Sequence, residues 1–181
     1  MNKKHILLLC ILCFFPFRAM SKATSDEVIQ EIEGRAQGTS YRIVYYGTER
    51  AKVVTAIETL LSKIDKIFSN YREDSSVSKF NSSQSTDWIE VEPELLSLVA
   101  ASLSISEDTQ EAFDITICQL LKLWGFGPYK RKIKASIPDS QDIALTLKKV
   151  GYRNLTIRSH PPSLKKAFPD LLIDLSGIAQ G

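Results

Sequence analysis

Apolar positions along this chain follow two rhythms, and the switches between them outline the secondary structure. From Thr48 to Phe68, Val53 or Val54, Ile57, Leu60 or Leu61, Ile64 and Phe68 recur at helical spacing, so a helix is expected there with Thr48 as its N-cap. Before it, Val28 to Ala36 and Thr39 to Tyr46 are rich in β-formers, with Arg35-Ala36-Gln37-Gly38 at their join, which predicts an antiparallel pair. Tyr41, Ile43 and Tyr45 alternate with Arg42, Val44 and Tyr46, so both faces of the second strand are partly apolar. Ser69 to Asn81 is polar and predicts a loop and a short helix; Trp88 to Val91 predicts a short strand. Pro93 suits the first position of a helix to about Ser106. A third helix is expected over Phe113 to Phe126, capped by Asp114 or Thr116 and stopped by Gly125-Phe126-Gly127-Pro128. Asp139 or Ser140 caps a fourth, closed by Lys148, Lys149 and Gly151, and Leu155–Ile157 and Leu171–Ile173 are expected as strands. Helices and strands mix without a regular βαβ rhythm. The expected class is α+β, a mixed or antiparallel sheet packed with helices.

The first residues do not belong to that pattern. Lys3 and Lys4 precede an apolar run from Ile6 to Phe17, and Ala19-Met20-Ser21 or Ser21-Lys22-Ala23 offers small residues for cleavage. Residues 1–23 are expected to be a signal peptide, with a domain over 24–181. The apolar run is too short to span a bilayer comfortably. Leu9 and Leu12 precede Cys10 and Cys13, a poor fit to a lipid anchor, although attachment through such an anchor or an uncleaved leader is the alternative. An exported location follows: the periplasm, with or without attachment to the inner membrane. Cutting after Ala23 removes four basic residues and turns a net charge of +2 into −2. No basic stripe survives processing, which argues against nucleic acid. Only Cys118 then remains among the cysteines, so neither an intrachain disulfide nor a thiolate metal cluster is available. Its apolar neighbours predict a buried core position.

The last nine residues, Ile173-Asp174-Leu175-Ser176-Gly177-Ile178-Ala179-Gln180-Gly181, carry an apolar strand into an acid, a Ser-Gly turn and the opening of a helix. Such junctions hold phosphate or metal chemistry, because the N–H groups of a first helical turn favour anions. A chain stopping inside that element is expected to be an incomplete domain that exposes part of its core face. Poor solubility or partial folding is the expected consequence.

Four separated motifs point in one direction: Gln37-Gly38-Thr39-Ser40-Tyr41; the run Ser69-Asn70-Tyr71-Arg72-Glu73-Asp74-Ser75-Ser76-Val77-Ser78-Lys79-Phe80-Asn81; Ala112-Phe113-Asp114 leading to Leu123-Trp124-Gly125-Phe126; and Asp174-Leu175-Ser176-Gly177-Ile178-Ala179-Gln180-Gly181. In this order and spacing they resemble the amino-terminal part of the ApbE family, the FAD:protein FMN transferases. The resemblance implies an envelope-facing, Mg2+-dependent enzyme. It would take FAD, transfer FMN to a threonine hydroxyl on a target protein such as a flavin-carrying redox subunit, and release AMP. It also implies site residues. Gln37 stands where the family often has Met before Gly-Thr, and Tyr71 matches a flavin-contacting aromatic. Ala112, Phe113 and Asp114 match a segment lining the FAD site, and Asp174 matches an FAD-binding acid. Gly177 matches a position whose carbonyl binds the metal. Gln180 stands where many members have Lys, and Gln can only hydrogen-bond where Lys would neutralise charge. The later Asp and Thr of the family's metal site have no counterpart in this sequence.

Each residue also has a plainer role. Asp114 and Asp174 suit N-caps or turn-forming positions, and Tyr71 suits a half-buried packing position. Trp124 and Phe126 suit core packing at a helix end, and Ser75-Ser76 and Ser82-Ser83 suit loop solvation. Attack by threonine calls for a base or strong orientation. His5 lies in the leader and His160 precedes Pro161-Pro162 on an expected surface loop, so the catalytic base is unassigned. Two other functions fit the motifs: an FAD pyrophosphatase, with water as nucleophile, and a non-catalytic flavin-binding remnant.

Overall fold

A computed structural model describes residues 28–129 and 137–179 of the chain; the expected leader and Gln180 lie outside the described residues. Strands β1 (Ile29–Ala36) and β2 (Thr39–Tyr46) pair antiparallel, from Ile29 opposite Tyr46 to Ala36 opposite Thr39. Gln37 and Gly38 join them with positive φ at both positions, 52° and 78°, the combination a type I′ hairpin turn needs. Gly38 adopts it freely, whereas a residue with a side chain gives up about 1–2 kcal/mol there. Alternate side chains leave Ile32 buried against the body, while Ile29, Val44 and Tyr46 stand exposed on the outer face.

Helix α1 (Arg50–Phe68) follows with Glu49 at its N-cap and no side-chain cap bond. Thr48 is therefore not the cap; its carbonyl accepts from the Arg50 N–H instead. Helix α2 (Ser76–Ser82) is capped by Ser75, which is fully buried: its Oγ accepts from the Ser78 N–H and donates to the Ser69 carbonyl at 2.6 Å. Ser75 is thus a structural cap, not a solvated loop residue. The short strand β3 (Ile89–Glu90) leads to α3 (Pro93–Asp108), with Pro93 in the first turn.

The helix expected over 113–126 begins later. Asp114 is extended and caps a single 3-10 turn, Ile115–Ile117, before α4 (Cys118–Trp124). The stop is as expected: Gly125 is left-handed, and the Phe126 N–H returns to the Leu121 carbonyl. Trp124 and Phe126 are not core residues, being 40% and 61% exposed. Asp139 caps α5 (Ser140–Leu147).

Strands β4 (Leu155–Ser159) and β5 (Pro162–Lys166) form a hairpin, and β5 also pairs with β3, so the sheet order is β3-β5-β4, antiparallel throughout. The central strand is the one that hydropathy does not predict, because two prolines and two lysines surround Leu164. Pro162 takes its first position, where a ladder tolerates proline.

Leu171–Ile173 is not a strand. It is buried, but it joins no ladder. Leu171, Ile173 and Leu175 lie in one core with Ile67, Val77, Phe80, Leu95, Val99, Ile115, Leu155 and Leu164. Burying each such aliphatic side chain contributes about 1.5–3 kcal/mol, enough to hold this segment against α2 and α3 without sheet pairing.

Candidate functional site

The backbone of the buried segment finds its partners elsewhere. Asn81, in the last turn of α2, turns its side-chain amide onto Ile173. Its Nδ2 donates to the Ile173 carbonyl at 2.8 Å, and its Oδ1 accepts from the Ile173 N–H at 2.9 Å. One primary amide thus does the work of a neighbouring strand. The next N–H, of Asp174, donates to the Ile115 carbonyl at 2.8 Å. Beyond it, Asp174 Oδ1 accepts from the Ser176 N–H at 2.8 Å, and the Ile178 and Ala179 N–H groups close back on the Leu175 carbonyl. Residues 174–179 therefore form an Asx turn followed by a helical turn. The second Asp174 oxygen has no hydrogen-bonding side-chain or backbone partner among the described residues.

Two cavities meet at this turn, and Ser176 lines both. The first, about 820 Å³, is walled by Gln37 and Gly38 from the hairpin turn, Ile64, Asp65 and Phe68 from α1, then Ser69, Tyr71 and Arg72, and Ala179. The second, about 650 Å³, is lined by Ala112, Phe113 and Asp114, by Gly151, and by Asp174 and Gly177. The residues singled out in the sequence thus fall into two groups. Gln37 and Tyr71 share the first cavity, and Ala112, Phe113, Asp114, Asp174 and Gly177 share the second. Gln180 lies outside the described residues.

Tyr71 is 70% exposed rather than half-buried, so its ring is free to meet a ligand. Arg72 beside it makes a two-pronged ion pair with Asp74, at 2.9 and 2.8 Å, and this bonding holds the Asp74 carboxyl below the usual carboxylate range. In the second cavity Asp114 is nearly buried and heavily engaged. Its Oδ1 accepts from the Thr116 N–H and hydroxyl, and its Oδ2 from the Tyr152 N–H, all at 2.7 Å. Thr116 Oγ1 in turn accepts from the Gly151 N–H at 2.8 Å. Asp114 therefore ties the 3-10 turn to the 151–152 loop, and this is more than an N-cap. Just before it, Gln110 and Glu111 both have positive φ, 52° and 71°, a rare conformation for residues with side chains.

Sequence reasoning did not single out Phe68, Asp65, Arg72 or Ser176 as lining residues, nor Asn81 as the clamp. All but Asp65 and Phe68 lie within the quoted motifs, which was the available signal. Cys118 is buried as expected, 3.2 Å from the Tyr129 hydroxyl, and burial pushes its thiol above the ordinary range. A protonated, enclosed thiol is not a nucleophile. His160 is exposed in the β4–β5 turn and lines neither cavity.

The cavities fit a flavin nucleotide in kind. Their size lies in the range of small-molecule sites, and Phe68, Tyr71 and Phe113 offer aromatic surface. A divalent cation is a different matter. Among the described residues no three His, Cys, Asp or Glu side chains converge. Mg2+ takes about six oxygens in near-octahedral array, and Asp174 with the Gly177 carbonyl falls short of that. The described residues do not fit the ion on their own.

Comparison with known proteins agrees with the geometry. The chain is 35% identical over 171 residues to the FAD:protein FMN transferase of Escherichia coli (strain K12), an alignment covering 92% of this chain and 47% of that protein. It is 30% identical to the protein of the same name from Klebsiella pneumoniae (strain 342), covering 95% and 50%. The fold superposes on the flavin transferase ApbE from Vibrio cholerae with a TM-score of 0.77 at 30% identity, over 84% of this chain and 50% of that one. It superposes on the apo form of the Pseudomonas stutzeri flavinyl transferase ApbE with a TM-score of 0.76 at 31% identity, over 84% and 51%. The chain spans about half the length of the curated relatives it matches. The family model of ApbE matches residues 37–181, which takes in every motif lining the two cavities, and the chain belongs to the ApbE family.

Proposed function

We propose that this protein is an FAD:protein FMN transferase. It takes FAD, joins FMN to a threonine hydroxyl of a target protein through a phosphoester, and releases AMP. One observation carries the reading: four motifs far apart in sequence converge on two cavities that share the turn at Ser176. A two-part ligand such as a dinucleotide suits two cavities that share a wall at Ser176 better than one small substrate does.

In this reading Gln37 and Tyr71 face one part of FAD, and Ala112, Phe113 and Asp114 face another. Asp174 offers its unpartnered oxygen to a ligand hydroxyl while the other orders the turn. A carboxylate against the diphosphate itself would be repelled. The reaction forms a bond from the threonine oxygen to the phosphorus of the FMN moiety and breaks that phosphorus's bond to the bridging oxygen. AMP leaves with the electron pair, and the threonine proton passes to solvent or to the departing phosphate. Positioning supplies much of such a rate enhancement. The reaction is proposed to require Mg2+, with the Gly177 carbonyl as one contributor to a site that the described residues do not complete; loss of labelling on chelation checks this. Gln180 is proposed to contact the ligand by hydrogen bonding.

Export to the periplasm, with or without attachment to the inner membrane, rests on the leader pattern of residues 1–23. Among the described residues no helix is long and apolar enough to cross a membrane. The target is proposed to be a flavin-carrying subunit of a redox enzyme.

The test is incubation with FAD, Mg2+ and an acceptor protein that carries an unmodified target threonine. Covalent FMN on the acceptor, read as in-gel fluorescence and by mass, is the expected result. Free FMN and AMP without acceptor labelling would show a pyrophosphatase, and FAD binding without turnover a binding module. Failure to bind FAD would overturn all three.

A further inference from the structure

Lys166 is fully buried, yet no carboxylate lies within ion-pair distance of it among the described residues. Its ammonium group sits on the C-terminal end of α2. It donates to the Ser83 carbonyl at 2.7 Å and approaches the carbonyls of Asn81 and Pro169 at 3.4 Å, and it lies 4.8 Å from the centre of the Phe80 ring. The last carbonyls of a helix lack intrahelical partners and carry partial negative charge, so a cation is well placed there. The helix turn it fastens is the one that bears Asn81, whose amide grips Ile173 just before the Asx turn.

We infer that Lys166 is a positioning residue: its buried ammonium locks the end of α2, so that the Asn81 clamp sets the Asp174–Gly177 turn at the junction of the two cavities. Stability alone does not call for a lysine in this slot. Burial pushes its pKa down to about 8, so the charged form is held at a cost to folding. A methionine would fill the same volume without that cost, although it would leave the carbonyls without their donor. Lys166 lines neither cavity and touches no ligand position; it acts through Asn81. The consequence for ligand binding rests on the flavin-nucleotide reading of the cavities.

The experiment compares the whole chain with its K166M variant in two measurements. Amide hydrogen exchange reads the clamp directly. The Ile173 N–H, bonded to Asn81 Oδ1, is expected to lose protection by about tenfold or more relative to the Val99 N–H in α3. FAD affinity, by quenching of flavin fluorescence, is expected to fall by about tenfold under conditions where the variant is folded. Equal protection changes at Ile173 and Val99 would reduce Lys166 to general stabilisation and overturn the inference. Unchanged FAD affinity beside a loosened Ile173 would overturn it as well, since the turn would then not depend on the clamp. If the unaltered chain binds no FAD, the functional reading fails and the exchange ratio alone decides the role of Lys166. Should K166M not fold, K166Q, which keeps a neutral donor, is read by the same two measurements.

Discussion

Replacing Asp114 by Asn exchanges one carboxylate oxygen for an NH2 group and leaves the shape of the side chain intact. The site does not tolerate that exchange in either orientation. Three donors converge on the carboxylate at 2.7 Å, two on Oδ1 and the Tyr152 N–H on Oδ2. If the new NH2 takes the Oδ2 position, it faces the Tyr152 N–H and leaves it without an acceptor. If it takes the Oδ1 position, it faces the Thr116 N–H and hydroxyl, of which only the hydroxyl can turn away. A hydrogen bond to a charged group contributes about 1.5–3 kcal/mol, and an orphaned buried donor costs about 1–3 kcal/mol. Because these overlap, D114N is expected to lose about 2–4 kcal/mol. For a domain of this size that lowers Tm by roughly 4–16 °C. The assay is urea unfolding followed by circular dichroism, with the midpoint shifted and the slope unchanged. A loss under about 0.5 kcal/mol would refute the reasoning. If FAD binding were abolished at the same time, Asp114 would be a ligand contact whose internal bonds contribute little.

Three further outcomes follow from other parts of the structure. Gln37→Asn supplies the residue that a type I′ turn prefers beside Gly38 and is expected to stabilise the fold by about 0.5–1 kcal/mol; thermal unfolding checks this, and a lowered Tm would contradict the left-handed backbone at Gln37. Asn81→Ala strips both partners from the buried Ile173 peptide and is expected to cost about 2–4 kcal/mol, measured by the same urea titration; a near-neutral result would mean that the 171–175 segment is held by its aliphatic side chains alone. Stability should also respond to alkali through Lys166. Its folded pKa, near 8, lies below its ordinary value, so between about pH 8 and pH 10.5 the unfolded chain binds more protons than the folded one. Unfolding free energy from this group therefore rises with pH across that window, by about 1–2 kcal/mol after allowance for relaxation. Subtracting the curve of K166M from that of the unaltered chain isolates the effect, and a flat or falling difference would contradict the burial of the ammonium.

Local signals in the sequence were strong wherever a residue acts on its own neighbours. Helical spacing outlined α1, Pro93 marked the start of α3, Gly125 marked the end of α4, and the β-rich stretches around Gln37-Gly38 gave the hairpin. The motifs that make up the site were legible as well, because each is a short contiguous run. Hydropathy did not disclose partners distant in sequence. Strand β5 escaped notice because its ladder is completed by β3 and β4, which surround a segment of prolines and lysines. Leu171–Ile173 looked like a strand because burial on all sides has the same apolar signature whether the backbone is paired by a ladder or by the amide of Asn81, 92 residues away. Trp124 and Phe126 looked like core residues because apolar character says what a side chain favours, not whether a neighbouring element covers it. The chain alone therefore determined its local conformations and the chemical groups of the site. Their distribution between two cavities, the engagement of Asp114 by the 151–152 loop and the fastening of the Asp174 turn through Lys166 were decided only by tertiary structure. Each of those depends on hydrogen bonds or packing between segments that the fold alone brings within reach of one another.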